Sequence, residues 1–229
     1  MKTVGIIGGM SWESTSTYYK RLNQLINKRL GGLHSAEILL ASLDFAPIEE
    51  MQSKGDWDAA KQALIAKARQ LEKAGAESIV IATNTMHKVA PQIEDAVKLP
   101  LLHIVDAVAE HLKQNNVNQV GLLGTRFTMQ QPFYRERLEQ QNIKVLIPGE
   151  SDGNTVDNII FKELCHGQFT DSARKQYLRI IEDLAAQGAQ GVILGCTEIG
   201  LLVQQEHSAL PLFDTTELHC RAIADWMLD

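Results

Sequence analysis

The chain has 229 residues, of which 45% are apolar and 22% charged, and its formal net charge is −6. The length suits two units of roughly 100 residues each, and the composition excludes disorder as the main state. The acidic balance excludes a general attraction to nucleic acid or to an anionic membrane surface.

Short, nearly continuous apolar runs at residues 4–7, 38–42, 78–82, 99–104, 120–123, 145–147, 191–194 and 210–213 read as strands buried on both faces. Helical patterns lie between them. Residues 56–74 repeat apolar positions at three- and four-residue steps, with Asp56 placed to cap the start and Gly75 the end. Residues 171–187 share that layout and stop at Gly188. The alternation predicts an α/β fold with parallel sheets.

No apolar run approaches the ~20 residues of a membrane span. The first run is too short for a signal peptide. Three cysteines without C-x-x-C spacing argue against a disulfide framework or a structural zinc site and fit a reducing cytoplasm. No histidine pair has metal-binding spacing.

The chain also repeats itself. Val4-Gly5-Ile6-Ile7-Gly8 resembles Val120-Gly121-Leu122-Leu123-Gly124. Residues 71–85 line up with 184–198, and Leu99-Pro100-Leu101 with Leu210-Pro211-Leu212. Three matches in one order favour two homologous half-domains of four strands each, over residues 1–104 with 214–229 and over 105–213. An eight-stranded TIM barrel ranks second. In open α/β sheets ligands lie beyond the carboxyl ends of strands, and two facing sheets would bring those ends to a domain interface.

The repeat puts Thr83 and Cys196 at equivalent positions, each directly after a buried strand. Cys196 reads as a small buried hydrophobe or as a functional thiol; polar Thr197-Glu198 after it favours the thiol, and a following helix N-terminus would lower its pKa. Cys165 and Cys220, among apolar neighbours, read as packing residues. Asn84, Thr85 and Thr197 suit either helix capping or the holding of a small carboxylate and ammonium. Met10 suits a pocket wall or the core. Thr125 and Thr128 suit donation to a carboxylate or the capping of the next helix.

Gly8-Gly9-Met10, Thr83-Asn84-Thr85-Met86-His87, Gly124-Thr125 with Thr128-Met129, and Gly195-Cys196-Thr197-Glu198 resemble, in order, the signature segments of the aspartate/glutamate racemase superfamily. The Glu at 198 resembles the aspartate racemase branch, since glutamate racemases usually carry His there. The resemblance implies two Rossmann-like halves around an interdomain site, a homodimer, and racemisation of an acidic amino acid without pyridoxal phosphate or metal. It also implies two opposed cysteines, one taking the α-proton and the other returning a proton to the opposite face. Lys162 matches the family's lysine for the substrate's second carboxylate; by itself it reads as a solvated charge.

This sequence departs from the pattern twice. The first cysteine is replaced by Thr83, whose hydroxyl is far less acidic than a thiol. Where family members often carry an arginine after the second strand, residues 47–54 offer Gln52, a neutral donor. The leading expectation is an asymmetric racemase of aspartate or glutamate with Cys196 and Thr83 as the proton-handling pair. The rivals are a lone-cysteine decarboxylase or isomerase of small carboxylic acids, as in the related arylmalonate decarboxylases, and a non-catalytic binding protein for acidic amino acids.

Overall fold

The computed structural model describes residues 1–229. The elements follow in the order β1 (Val4–Gly8), α1 (Trp12–Leu30), β2 (Ile38–Ser42), α2 (Phe45–Lys54), α3 (Trp57–Lys73), β3 (Ser78–Ile81), α4 (Ala90–Glu94), α5 (Ile104–Gln114), β4 (Gln119–Gly124), α6 (Arg126–Gln130), α7 (Pro132–Glu139), β5 (Lys144–Leu146), α8 (Glu150–Lys162), α9 (Asp171–Ala186), β6 (Val192–Gly195), α10 (Ile199–Leu202), β7 (Leu212–Asp214) and α11 (Thr215–Leu228). The strands form two separate sheets, in the orders β2-β1-β3 and β5-β4-β6-β7. Every pairing is parallel, so the fold is α/β with two open sheets and is not a closed barrel. No helix is long and apolar enough to cross a membrane.

The chain divides into two units, Met1–Ile104 with His219–Asp229, and Val105–Leu218. In the first unit the pleat of the strands sorts side chains to two cores. Ile7, Ile79 and Ile81 face α3, meeting Ala60, Leu64, Ala68 and Leu71. Val4, Ile6 and Val80 face the other way, meeting Tyr18, Leu22, Leu25 and Ile26 of α1 and Cys220, Ile223, Ala224 and Met227 of α11. Tyr18, Leu22, Leu25 and Ile26 recur at helical spacing and are buried. At ~1.5–3 kcal/mol for each fully buried large side chain, their packing outweighs the ~1 kcal/mol of the Ser11 cap that starts α1.

The expected fourth strand of this sheet, over 99–104, is reduced to a single bridge between Leu101 and Ile79. Pro100 has no N–H and pairs only through its carbonyl, which accepts from Ile79 N at 2.9 Å. Leu102 N then donates to Ile79 O at 2.9 Å, and by Ile104 the chain is already helical.

In the second unit, Leu123 of β4 and Val192 and Leu194 of β6 pack on Val156, Ile159 and Ile160 of α8 and on Tyr177, Ile180, Ile181 and Leu184 of α9. The internal repeat has a physical cause in this packing. A Cβ on Gly5 would stand 3.2 Å from Leu71 Cβ, and one on Gly121 would stand 2.8 Å from Leu184 Cδ1. Each unit thus needs a glycine in its first strand so that the same repeated leucine can approach it.

The helix ends agree with the capping signals. Asp56 accepts from Ala59 N, and Ala74 closes α3 with Gly75 behind it at φ 96°. The cap of α9 is Thr170, one residue before the predicted start, and Gly188 follows the end at φ 97°.

Candidate active site

In the second unit, β6 delivers Cys196 at its carboxyl end, as a half-buried residue. The thiol donates to Glu198 Oε2 at 3.0 Å, and Glu198 is itself buried. Burial pushes the thiol well above its ordinary range; the Glu198 charge and hydrogen bond push it further, followed by nearby Cys165. The expected lowering by a helix N-terminus is not realised. The helix that follows, α10, has only four residues and no side-chain cap, and a carboxylate stands nearer the sulfur. Buried Thr197 accepts a hydrogen bond from Thr216 Oγ1 at 3.2 Å, while Thr216 N and Glu217 N donate to Asp214 Oδ1.

Glu198→Gln should therefore let the Cys196 thiolate form at lower pH. The pH midpoint of Cys196 alkylation by iodoacetamide should fall by about one unit, the low end for a like charge removed from a neighbouring site. An unchanged midpoint would mean that Glu198 does not raise the thiol.

In the first unit, β3 ends at Ile81, and residues 82–84 bend away before a 3₁₀ turn over Thr85–Val89. Ser14 Oγ donates to Ala82 O at 3.0 Å and Ala82 N to Ile7 O at 2.9 Å, fixing the residue before Thr83. Thr83 is half-buried. Asn84 and Thr85 are buried, and Asn84 makes no side-chain cap bond to the turn that it opens, so the capping role weighed for it is absent.

Gln52, on α2, is buried and points its amide Nε2 at Met86 Sδ, 3.0 Å away. Sulfur is a weak acceptor, so this neutral donor is only loosely engaged. Met10 is buried in the core with Met86 and Ile7. Gly9 holds φ 90°, and a Cβ there would lie 2.1 Å from Leu43 O. That glycine makes room for the protein's own backbone.

Thr125 does cap α6, accepting from Thr128 N at 3.3 Å, with Thr128 Oγ1 3.2 Å from its hydroxyl. Lys162, the last residue of α8, is exposed. The first unit thus gathers Thr83, Asn84 and Thr85, and the second unit Cys196 and Thr197. No group of three His, Cys, Asp or Glu side chains is arranged to hold a metal ion.

Tyr177 escaped the sequence reading as a neighbour of the thiol, while Cys165, read there as a packing residue, is one. Cys165 packs on the same core as Cys196, and Tyr177 lies fully buried with its hydroxyl donating to Val156 O at 3.2 Å. Burial chiefly, and then Cys196, holds the Tyr177 phenol well above its usual range, so it stays protonated. Neither residue adjoins Cys196 in sequence, and no motif announces them.

A thiol with a carboxylate partner at the end of a parallel strand suits proton transfer at carbon. Residues 7–223 match the family described as Asp/Glu/Hydantoin racemase. The chain belongs to that family. It is 26% identical over 216 residues to the broad specificity amino-acid racemase RacX of Bacillus subtilis (strain 168), a match covering 93% of this chain and 92% of that one. Among solved structures, a candidate Asp/Glu racemase from Yersinia pestis is 53% identical, with a TM-score of 0.94 and 100% of both chains covered. PH1733 from Pyrococcus horikoshii OT3, an aspartate racemase homologue, is 35% identical with a TM-score of 0.88, again over 100% of both chains. The protein is thus an isomerase of the racemase type.

Proposed function

We propose that the protein racemises aspartate or glutamate without a cofactor, with Cys196 and Thr83 handling the α-proton. The observation that carries this reading is the Cys196 thiol beyond β6, bonded to the buried Glu198 carboxylate. A high thiol pKa makes the thiolate scarce but makes it a stronger base once formed, and Glu198 is in hydrogen-bond reach to accept the thiol's proton. The thiolate then takes the proton from Cα, and charge spreads onto the α-carboxylate. Donors such as Asn84, Thr85 and Thr197 stabilise that charge, and Thr83 or a water beside it returns a proton to the other face. Met10 supplies an apolar wall; Gln52, Thr125 and Lys162 are assigned to the side-chain carboxylate. Gln52 is neutral where an arginine would make two charged bonds, which favours tolerance of glutamate as well as aspartate.

Enantiomers have equal free energies, so kcat/KM is the same in both directions. A hydroxyl in place of a thiol therefore splits kcat from KM between the enantiomers and cannot make a one-way enzyme. Thr83→Cys should raise kcat for the enantiomer turned over more slowly by at least about tenfold, a modest share of what a positioned acid or base supplies. A variant no faster than wild type would remove Thr83 from the proton path.

The deciding test is incubation with L-aspartate or L-glutamate in deuterated water. Racemisation puts deuterium on Cα with inversion. Carbon dioxide released from a malonate-type acid, with no exchange into the amino acids, would indicate a decarboxylase. A rise in melting temperature with ligand but no chemistry would indicate a binding protein.

A further inference from the structure

Three histidines lie buried in the first unit, at 87, 103 and 219. The proton-transfer scheme uses none of them. His87 Nε2 accepts the N–H of Ile104 at 3.3 Å, and its Nδ1 stands 2.8 Å from the Thr83 carbonyl oxygen. A backbone N–H only donates and a carbonyl only accepts, so the ring is neutral with its proton on Nδ1, a tautomer fixed from both sides.

His219 is held by a carbonyl at one ring nitrogen and a hydroxyl at the other. Its Nε2 is 2.7 Å from Leu102 O, and its Nδ1 is 2.8 Å from the Tyr18 hydroxyl, so its proton is on Nε2. The two imidazoles thereby grip the main chain on either side of His103. The His87 ring stands edge-on to His103, with centroids 4.5 Å apart.

We propose that His87 is a positioning residue for Thr83. Its Nδ1–H···O=C bond fixes the peptide between Thr83 and Asn84, and with it the direction of the Thr83 side chain. That peptide needs a fixture. Thr83 lies beyond β3, and the main-chain bond that opens the following turn, from His87 N at 3.1 Å, goes to Asn84 O. The Thr83 carbonyl takes the imidazole instead. The inference rests on the reading of Thr83 as the second proton-handling group.

Two near-isosteric variants separate positioning from packing. His87→Asn keeps a donor where Nδ1 stands and loses the acceptor for Ile104. His87→Gln keeps an acceptor near Nε2 and loses the donor to Thr83. Each strands one buried polar group, so both should melt lower by similar amounts.

His87→Gln should lower kcat/KM at least tenfold for both enantiomers, with the loss in kcat and KM within twofold. His87→Asn should rescue most of that loss. The pH profile of Cys196 alkylation should be that of wild type in both. Equal kcat in the two variants overturns the proposal.

A second readout does not require racemisation. Thr83-Asn84 is the single Thr-Asn pair in the sequence. Labelling threonine carbonyls with carbon-13 and asparagine with nitrogen-15 therefore isolates one carbonyl–amide correlation, that of the peptide in question. Its carbonyl shift should move in His87→Gln and hold in His87→Asn; an identical shift in all three proteins overturns the proposal even if wild type proves to be no racemase. Conversely, absence of deuterium exchange in wild type together with the expected shifts would overturn the racemase reading and leave standing only the bond by which His87 fixes the peptide after Thr83.

Discussion

Cys196→Ser is expected to lower kcat/KM by on the order of 10³, within the range that a positioned general base contributes. Serine keeps the size of the side chain and its hydrogen bond to Glu198, so the fold should be preserved and the melting temperature should change little. Basicity is what changes. A serine hydroxyl has no accessible anion at neutral pH, whereas even a thiol raised by burial and by Glu198 forms some thiolate. Deuterium incorporation at Cα, followed by NMR, measures the loss directly. Wild-type rates in the serine variant would remove the thiol from the reaction.

Acidification below about pH 6.5 should cost stability steadily, and His87 should account for one proton of the effect. Burial holds this imidazole well below its ordinary range, followed by the neighbouring rings of His103 and His219. Protonation would also set a second N–H against that of Ile104 and a positive charge at the start of α5. The unfolded chain binds the proton near pH 6.5 and the folded chain does not.

Stability therefore rises with pH through this window. It is lost at about 1.4 kcal/mol per unit as the pH falls from about 6.5 toward the depressed folded value. Urea unfolding at pH 7, 6 and 5 would measure the slope. His87→Asn, which does not titrate, should flatten it by that amount, and an equal slope in both proteins would show that the native ring is charged. Asp214, whose carboxyl is raised by burial, acts in the opposite sense and cancels in the comparison.

Most of the fold was legible because strands buried on both faces are apolar throughout, whichever way each residue points. Residues 38–42 match β2 by their apolar content alone, since β2 is the edge strand of its sheet and none of its five residues is buried. Residues 99–104 are as apolar, but the decisive facts there are the missing N–H of Pro100 and the capture of Ile104 N by a histidine 17 residues earlier. An apolar pattern records neither.

The candidate site divides along the same line. Glu198 is visible beside Cys196 because it lies two residues away; Cys165 and Tyr177 come from other elements. The direction of the thiol shift depends on a three-dimensional balance, in which a carboxylate and burial outweigh one short helical turn. The histidines at 87, 103 and 219 have no spacing that marks them as partners, and only the fold brings the rings together.

The first unit is assembled from two stretches of chain, with the whole second unit lying between them in sequence. During synthesis the ribosome emits Val4, Ile6 and Tyr18 early, yet Cys220, Ile223 and Met227, which cover them, emerge some 200 residues later. The second unit can therefore close first, while the earlier-made sheet waits with one apolar face open to chaperones. Nascent chains halted before residue 219 should expose that face to proteases, although every strand of both sheets has by then been made.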